Sequence, residues 1–216
     1  MLGILLKEYY ETFCLKKNTL GMLFAAACIL LIVIFMQNFY SYVLVIGVVV
    51  PMMGVSPMQY SMEQDDISGY DQILLTFPLT RKEIVRAKLL SVWSFTALSN
   101  LVVGLPLTLL YTLGYQVIDW NTGLLLWLFT ILLSFIMTAL NAIGFMALGN
   151  KRGTILFIFT LVVFAIGYVI FHFNVDIKAL LHTDISFWFI LTGVLAILLN
   201  IAADRICLFL YDRHHS

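Results

Sequence analysis

Six long runs without a single Asp, Glu, Lys or Arg dominate this chain, and together they dictate its solvent. They cover Leu20–Gln37, Phe39–Met62, Leu89–Gln116, Thr122–Asn150, Gly153–Phe173 and Ile185–Ala203. A helix needs ~20 apolar residues to cross a hydrocarbon layer ~30 Å thick, and most of the runs have that length. With 62% hydrophobic and 11% charged residues and a mean hydropathy of +1.01, the chain departs far from soluble domains, in which about a quarter of residues are charged. A water-soluble chain of 216 residues could not hide so much apolar surface in one core. The expectation is an all-α membrane protein with six transmembrane helices and no soluble domain. The third and fourth runs are long enough to tilt or project from the bilayer. Pro51, Pro57 and Pro106 fall inside runs, where prolines kink helices.

Orientation follows from lysine and arginine. Six crossings put Lys7, Lys16, Lys17, Arg81, Lys82, Arg86, Lys88, Lys151, Arg152, Arg205 and Arg213 on one side and only Lys178 on the other. The first side is therefore expected to be cytoplasmic, with both termini on it. The first run starts only near Leu20 and carries its small residues, Ala25–Ala27, at its beginning, the reverse of a cleavable leader, so it is expected to be retained. Ahead of it, Leu2, Leu5, Leu6, Tyr9 and Phe13 recur at helical spacing with Lys7, Glu8 and Glu11 between them. That pattern fits an amphipathic interfacial helix within 1–18; an ordinary frayed terminus is the alternative.

The chain lacks a phosphate-binding G-x-x-x-x-G-K-[ST], an H-E-x-x-H, a paired Cys-x-x-Cys and a G-x-S-x-G. Cys14, Cys28 and Cys207 have no metal-ligand spacing and read as apolar fillers. His172 and His182 flank an outer connection, and His214 and His215 form a tail. No ionisable residue lies in the middle of a run, although ion-driven transporters usually carry such groups. Asn100, Asn141, Asn200, a few Ser and Thr, and glycines remain, and these usually bond or pack helices together. No chemistry of the chain's own is evident, so it is not expected to be an enzyme. A formal net charge of zero gives no reason to expect nucleic acid as a partner.

The one long polar excursion runs from Glu63 to Lys88. It opens with Glu63, Asp65 and Asp66, turns at Ser68-Gly69, and continues as a short amphipathic helix over Tyr70–Phe77 that Pro78 stops. Thr80 and Glu83 have capping-box spacing, so a new helix starts there and runs into the third crossing. A helix presenting Tyr70, Ile73, Leu74 and Leu75 needs a cover. A protein partner or lipid headgroups would both serve.

The string G-Y-D-x-x-L-x-x-x-P-L-x-R-x-x-I-V-x-A-K, Gly69 to Lys88, resembles permease subunits of the ABC type-2 exporters. Within them it is similar to small permeases related to the phenol-soluble modulin exporter and to bacteriocin or lantibiotic immunity exporters. The resemblance implies that this segment is a coupling helix docking into a groove on a separate ATPase. It implies a docking set of Gly69, Tyr70, Asp71, Ile73, Leu74, Leu75, Phe77, Pro78 and Arg81. Asp71 and Arg81 would be the polar contacts, and Leu74, Leu75 and Pro78 the packing surface. Local roles are open beside these: Asp71 suits the first turn of a helix, and Arg81 and Lys82 suit anionic headgroups.

The family pattern further implies two ATPase copies, a second permease copy or paralogue, and alternating access in a bacterial cell membrane. ATP and Mg would sit on the ATPase, with no cofactor or metal in this chain. Uncharged crossings fit amphipathic or apolar cargo, such as a peptide. In one respect the chain departs from many such permeases. The connection Asn174–Asp184 has room for one short helix at most, where they fold a larger outer element. The alternative is a six-span substrate-binding component of an energy-coupling-factor importer, which needs convergent polar groups near the outer face and gives no reason for the excursion. A membrane enzyme or assembly factor is the other class left open.

Overall fold

A computed structural model describes residues 2–74, 76–174 and 185–214, and every regular element among them is helical. In chain order these are α1 (Leu2–Cys14), α2 (Lys16–Phe35), α3 (Phe39–Ser68), α4 (Tyr70–Leu74), α5 (Arg81–Gly114), α6 (Trp120–Asn174) and α7 (Ile185–His214). Five of them, α2, α3, α5, α6 and α7, are long and apolar enough to cross a membrane. The short outer connection expected before Asp184 lies outside the described residues.

α6 is not straight. Its one non-helical residue is Gly149, with φ 73° and ψ 179°, a region that only glycine enters without strain. Asn141 and Thr160 are 19 residues apart, about 28 Å along a straight helix. Instead the Thr160 hydroxyl stands 3.5 Å from Asn141 Oδ1. Gly144 lies against Leu156, and Gly153 against Phe145. The helix therefore doubles back at Gly149 as a tight antiparallel hairpin, and the expected break at Asn150–Arg152 is a bend with no loop.

α3 is the most enclosed of the five. Asn38 caps its start, accepting the Ser41 N–H at 2.7 Å, and the Ser41 hydroxyl faces back to the Asn38 N–H. Two prolines are accommodated the same way. Pro51 and Pro106 each sit just after a widened π-helical turn, Val45–Val49 and Asn100–Gly104. In a regular helix the proline ring clashes with the carbonyl four residues back, and the wider turn relieves that contact. Pro57 is carried within α3.

Neutral hydrogen bonds join the long helices. Thr96 and Thr138 hydroxyls meet at 2.7 Å between α5 and α6, and the Trp127 indole donates to the Asn100 carbonyl at 3.1 Å. Trp93 donates to Asn200 Oδ1 at 2.8 Å, joining α5 to α7. At Gly54, α3 comes so close to α5 that an added Cβ would stand 2.9 Å from Thr96 Cα. Gly54→Val should therefore push the two helices apart, at about 1–3 kcal/mol. Thermal unfolding in detergent should show a midpoint lowered by roughly 2–4 °C per kcal/mol; an unchanged midpoint would contradict this packing.

The helices overrun the uncharged runs at one end of the bundle. α3 continues past Met62 to Ser68, α5 begins at Arg81, where the Thr80–Glu83 capping box is expected to start it, and α7 continues past Ala203 to His214. The polar excursion of 63–88 thus shrinks to the stretch between Ser68 and Arg81. Several charges in these extensions are held by other helices: Glu63 by Lys17, Asp65 by Lys7 and Lys88, Arg81 by Asp212 and Arg86 by Asp204.

Candidate functional site

The short connection is built as a platform with both ends fixed. Gly69 closes α3 in the left-handed region (φ 63°), its N–H bonded to the Asp65 carbonyl. Gln72 N–H bonds to the Gly69 carbonyl at 3.1 Å, Thr76 N–H to Ile73 at 3.0 Å and Phe77 N–H to Leu74 at 3.2 Å. At the far end, the Thr80 N–H donates to Glu83 Oε2 at 2.8 Å while Thr80 Oγ1 accepts the Glu83 N–H at 3.3 Å. That reciprocal capping box sets the entry of α5.

The helix of the connection is five residues, Tyr70–Leu74, rather than the stretch to Phe77 expected from the pattern. Its faces also differ from expectation. Leu74, assigned to the docking surface, is 1% exposed and packed into the chain's own core with Tyr70, Leu79, Ile84 and Val85. Helical geometry turns it inward once Gly69 has reversed the chain. Among the described residues of the connection, Ile73 and Phe77 are the apolar side chains turned outward, at 48% and 50%, with Pro78 exposed beside them. Asp71 lies on the helix and Leu75 falls outside the described residues. Arg81 is held by α7, its Nη1 3.5 Å from the Asp212 carboxylate and 3.4 Å from the Asp212 carbonyl.

Beneath the platform lies a charge cluster that the sequence did not disclose. Asp65, 2% exposed, accepts Lys88 Nζ at 2.7 Å on one oxygen and Lys7 Nζ on the other. Lys7 also stands 3.1 Å from Glu11 and 4.2 Å from the centre of the Tyr70 ring. Glu8, 2% exposed, faces the same group, and its Oε1 makes no hydrogen bond of normal geometry, nor does the neighbouring Ser61 hydroxyl. α1 therefore turns Ile4, Glu8 and Thr12 inward and leaves Leu2, Leu6, Tyr10 and Phe13 outside. A charged residue within an apolar-spaced helix reads as a water-facing position, so only the opposite charges on α3 and α5 could have signalled this arrangement.

Burial pushes the Glu8 carboxyl up to about 7, against the pull of Lys88 and Lys7 and with the push of Asp65. Burial alone would depress Lys7, but Asp65 and then Glu11 more than offset it and hold Lys7 above its ordinary value. With Glu8 neutral, two ammonium groups face two carboxylates, Asp65 and Glu11. The folded chain then binds more protons than the unfolded one over the interval from the ordinary 4.5 to about 7. Stability should fall as pH rises through that window, by about 3 kcal/mol in all, and level off above it. Thermal midpoints measured between about pH 5 and about pH 8 should show this slope for wild type and its loss in Glu8→Gln. A flat wild-type profile would contradict the buried neutral carboxyl.

Residues 3–212 match the model of a protein family described as ABC-2 family transporter protein, so the match covers nearly all of the chain. No curated protein and no solved structure matches it.

Proposed function

Because the chain belongs to the ABC-2 family of transporter proteins, we propose that it is the permease subunit of an ATP-driven exporter of amphipathic peptides. The observation that carries this reading is the outward-facing apolar pair Ile73 and Phe77, with Pro78, on a connection rigidly anchored at Gly69 and Thr80. An exposed apolar patch on so short and fixed a segment suits insertion into a groove on a separate ATPase. Two ATPase copies carry ATP and Mg, and this chain hydrolyses nothing. Closure of the ATPase pair moves the platform, and the platform moves α3 and α5, giving alternating access.

On this reading each arm of the hairpin at Gly149 crosses the membrane once, so the five long helices give six crossings, with both termini and the platform cytoplasmic. A reporter at the C-terminus should then read cytoplasmic and one inserted after Val175 external; a cytoplasmic reading at Val175 overturns the six-crossing topology. A second copy or paralogue completes the pathway, seated against two of the bare apolar faces, those of α2 and the second arm of α6. The lack of charge within the crossings supports amphipathic or apolar cargo.

Ile73→Asp places a carboxylate in the proposed interface, and an unpaired buried charge costs several kcal/mol. Capture of the co-expressed ATPase should fall to a small fraction of wild type, with membrane yield unchanged. Arg81→Ala should be milder, since a half-exposed pair contributes about 0–1 kcal/mol. Leu74→Asp should lower membrane yield itself, because Leu74 belongs to the core. Full ATPase capture by Ile73→Asp would overturn docking through this platform.

A further inference from the structure

A groove of about 770 Å³ opens along the side of the bundle between α5, α6 and α7, within the size range of small-molecule sites, about 300–1,000 Å³. Its walls are apolar, from Leu89, Leu90, Leu132 and Ile197. Its floor is the Trp93–Asn200 pair, and Asn200 Nδ2 is spent on the Phe135 and Ala196 carbonyls at 3.1 and 2.8 Å. The floor therefore offers little to a polar ligand. All the charge is at one end, where Arg86, Asp204 and Arg205 line the mouth. Trp93 lies seven positions after Arg86 on one helix, so the groove runs about 10 Å from the charged mouth into apolar surroundings.

The mouth is unbalanced. Arg86 lies 3.4 Å from Asp204, whereas Arg205 is exposed and has no carboxylate within ion-pair distance among the described residues. Two guanidinium groups thus face one carboxylate. A second copy of this chain packed here about a two-fold axis would set one basic mouth against another. A molecule with an anionic head and an apolar tail satisfies both ends at once. Guanidinium groups suit phosphate oxygens, and basic pockets between helices on the cytoplasmic side are a known setting for anionic headgroups.

We propose that this groove holds an anionic phospholipid of the inner leaflet, its phosphate on Arg205 and Arg86 and its acyl chain over Trp93. The inference rests on the cytoplasmic placement of this end proposed above, but not on ATPase docking, and its test contains no ATPase. A variant with Trp120, Trp127 and Trp188 changed to Phe leaves Trp93 as the reporter. In vesicles, phosphatidylglycerol brominated on its acyl chains should quench Trp93 several-fold more than brominated phosphatidylcholine at equal mole fraction. Arg205→Gln should abolish that preference and Arg205→Lys should retain part of it. Equal quenching by the two lipids, a preference that survives Arg205→Gln, or no quenching by either would each overturn the proposal. If the triple variant does not fold, native mass spectrometry of wild type and Arg205→Gln gives the same comparison. Phosphatidylglycerol should be retained over phosphatidylcholine by wild type only, and equal retention by both proteins would overturn the site.

Discussion

Asp65 sits at the root of the connecting platform and receives two ammonium groups, Lys7 from α1 and Lys88 from α5, while belonging itself to α3. Out of water, each of these charges is tolerable only because the others are present. Removing one partner of such a group typically costs about 3–5 kcal/mol, because a charge is then left buried and unmatched. The N-terminal helix, the end of α3 and the start of α5 are therefore positioned by one carboxylate. Everything between Gly69 and Thr80 hangs from that junction.

Away from the junction the helices are held by neutral groups. Thr96 and Thr138, Trp127 and the Asn100 carbonyl, and Trp93 and Asn200 bond across helix pairs. In a medium where apolar side chains gain nothing by leaving solvent, such bonds and close backbone approaches replace the hydrophobic effect as the cohesive force. Gly54 on Thr96 and Gly153 on Phe145 are those approaches. Charge holds one end of the molecule, and small residues with hydroxyls hold the rest.

The long helices were legible because a run of apolar residues has one solution in hydrocarbon, and the turn at Gly69 and the capping box at Thr80 were legible because both are local. What sequence could not supply was direction. Leu74 and Ile73 are adjacent and chemically alike, yet one is in the core and the other outside, which only the chain reversal at Gly69 decides. Lys7, Glu8 and Glu11 read as a wet face because their partners, Asp65 and Lys88, lie far along the chain on other helices. Hydropathy likewise marks where a helix leaves lipid, not where it ends, so α3 and α7 extend well beyond their apolar runs.

The bend at Gly149 bears on how the chain sits in its membrane. Its two arms touch within a few residues of the turn, at Phe145 with Gly153 and Gly144 with Leu156. Next to the turn each arm thus covers part of the other, and the two can part only by giving up these close contacts. Lys151 and Arg152 at its tip are exposed, and dragging them across hydrocarbon would be costly. The bend therefore stays where those charges can meet water, and the residue with no side chain, Gly149, fixes the point at which the two arms diverge.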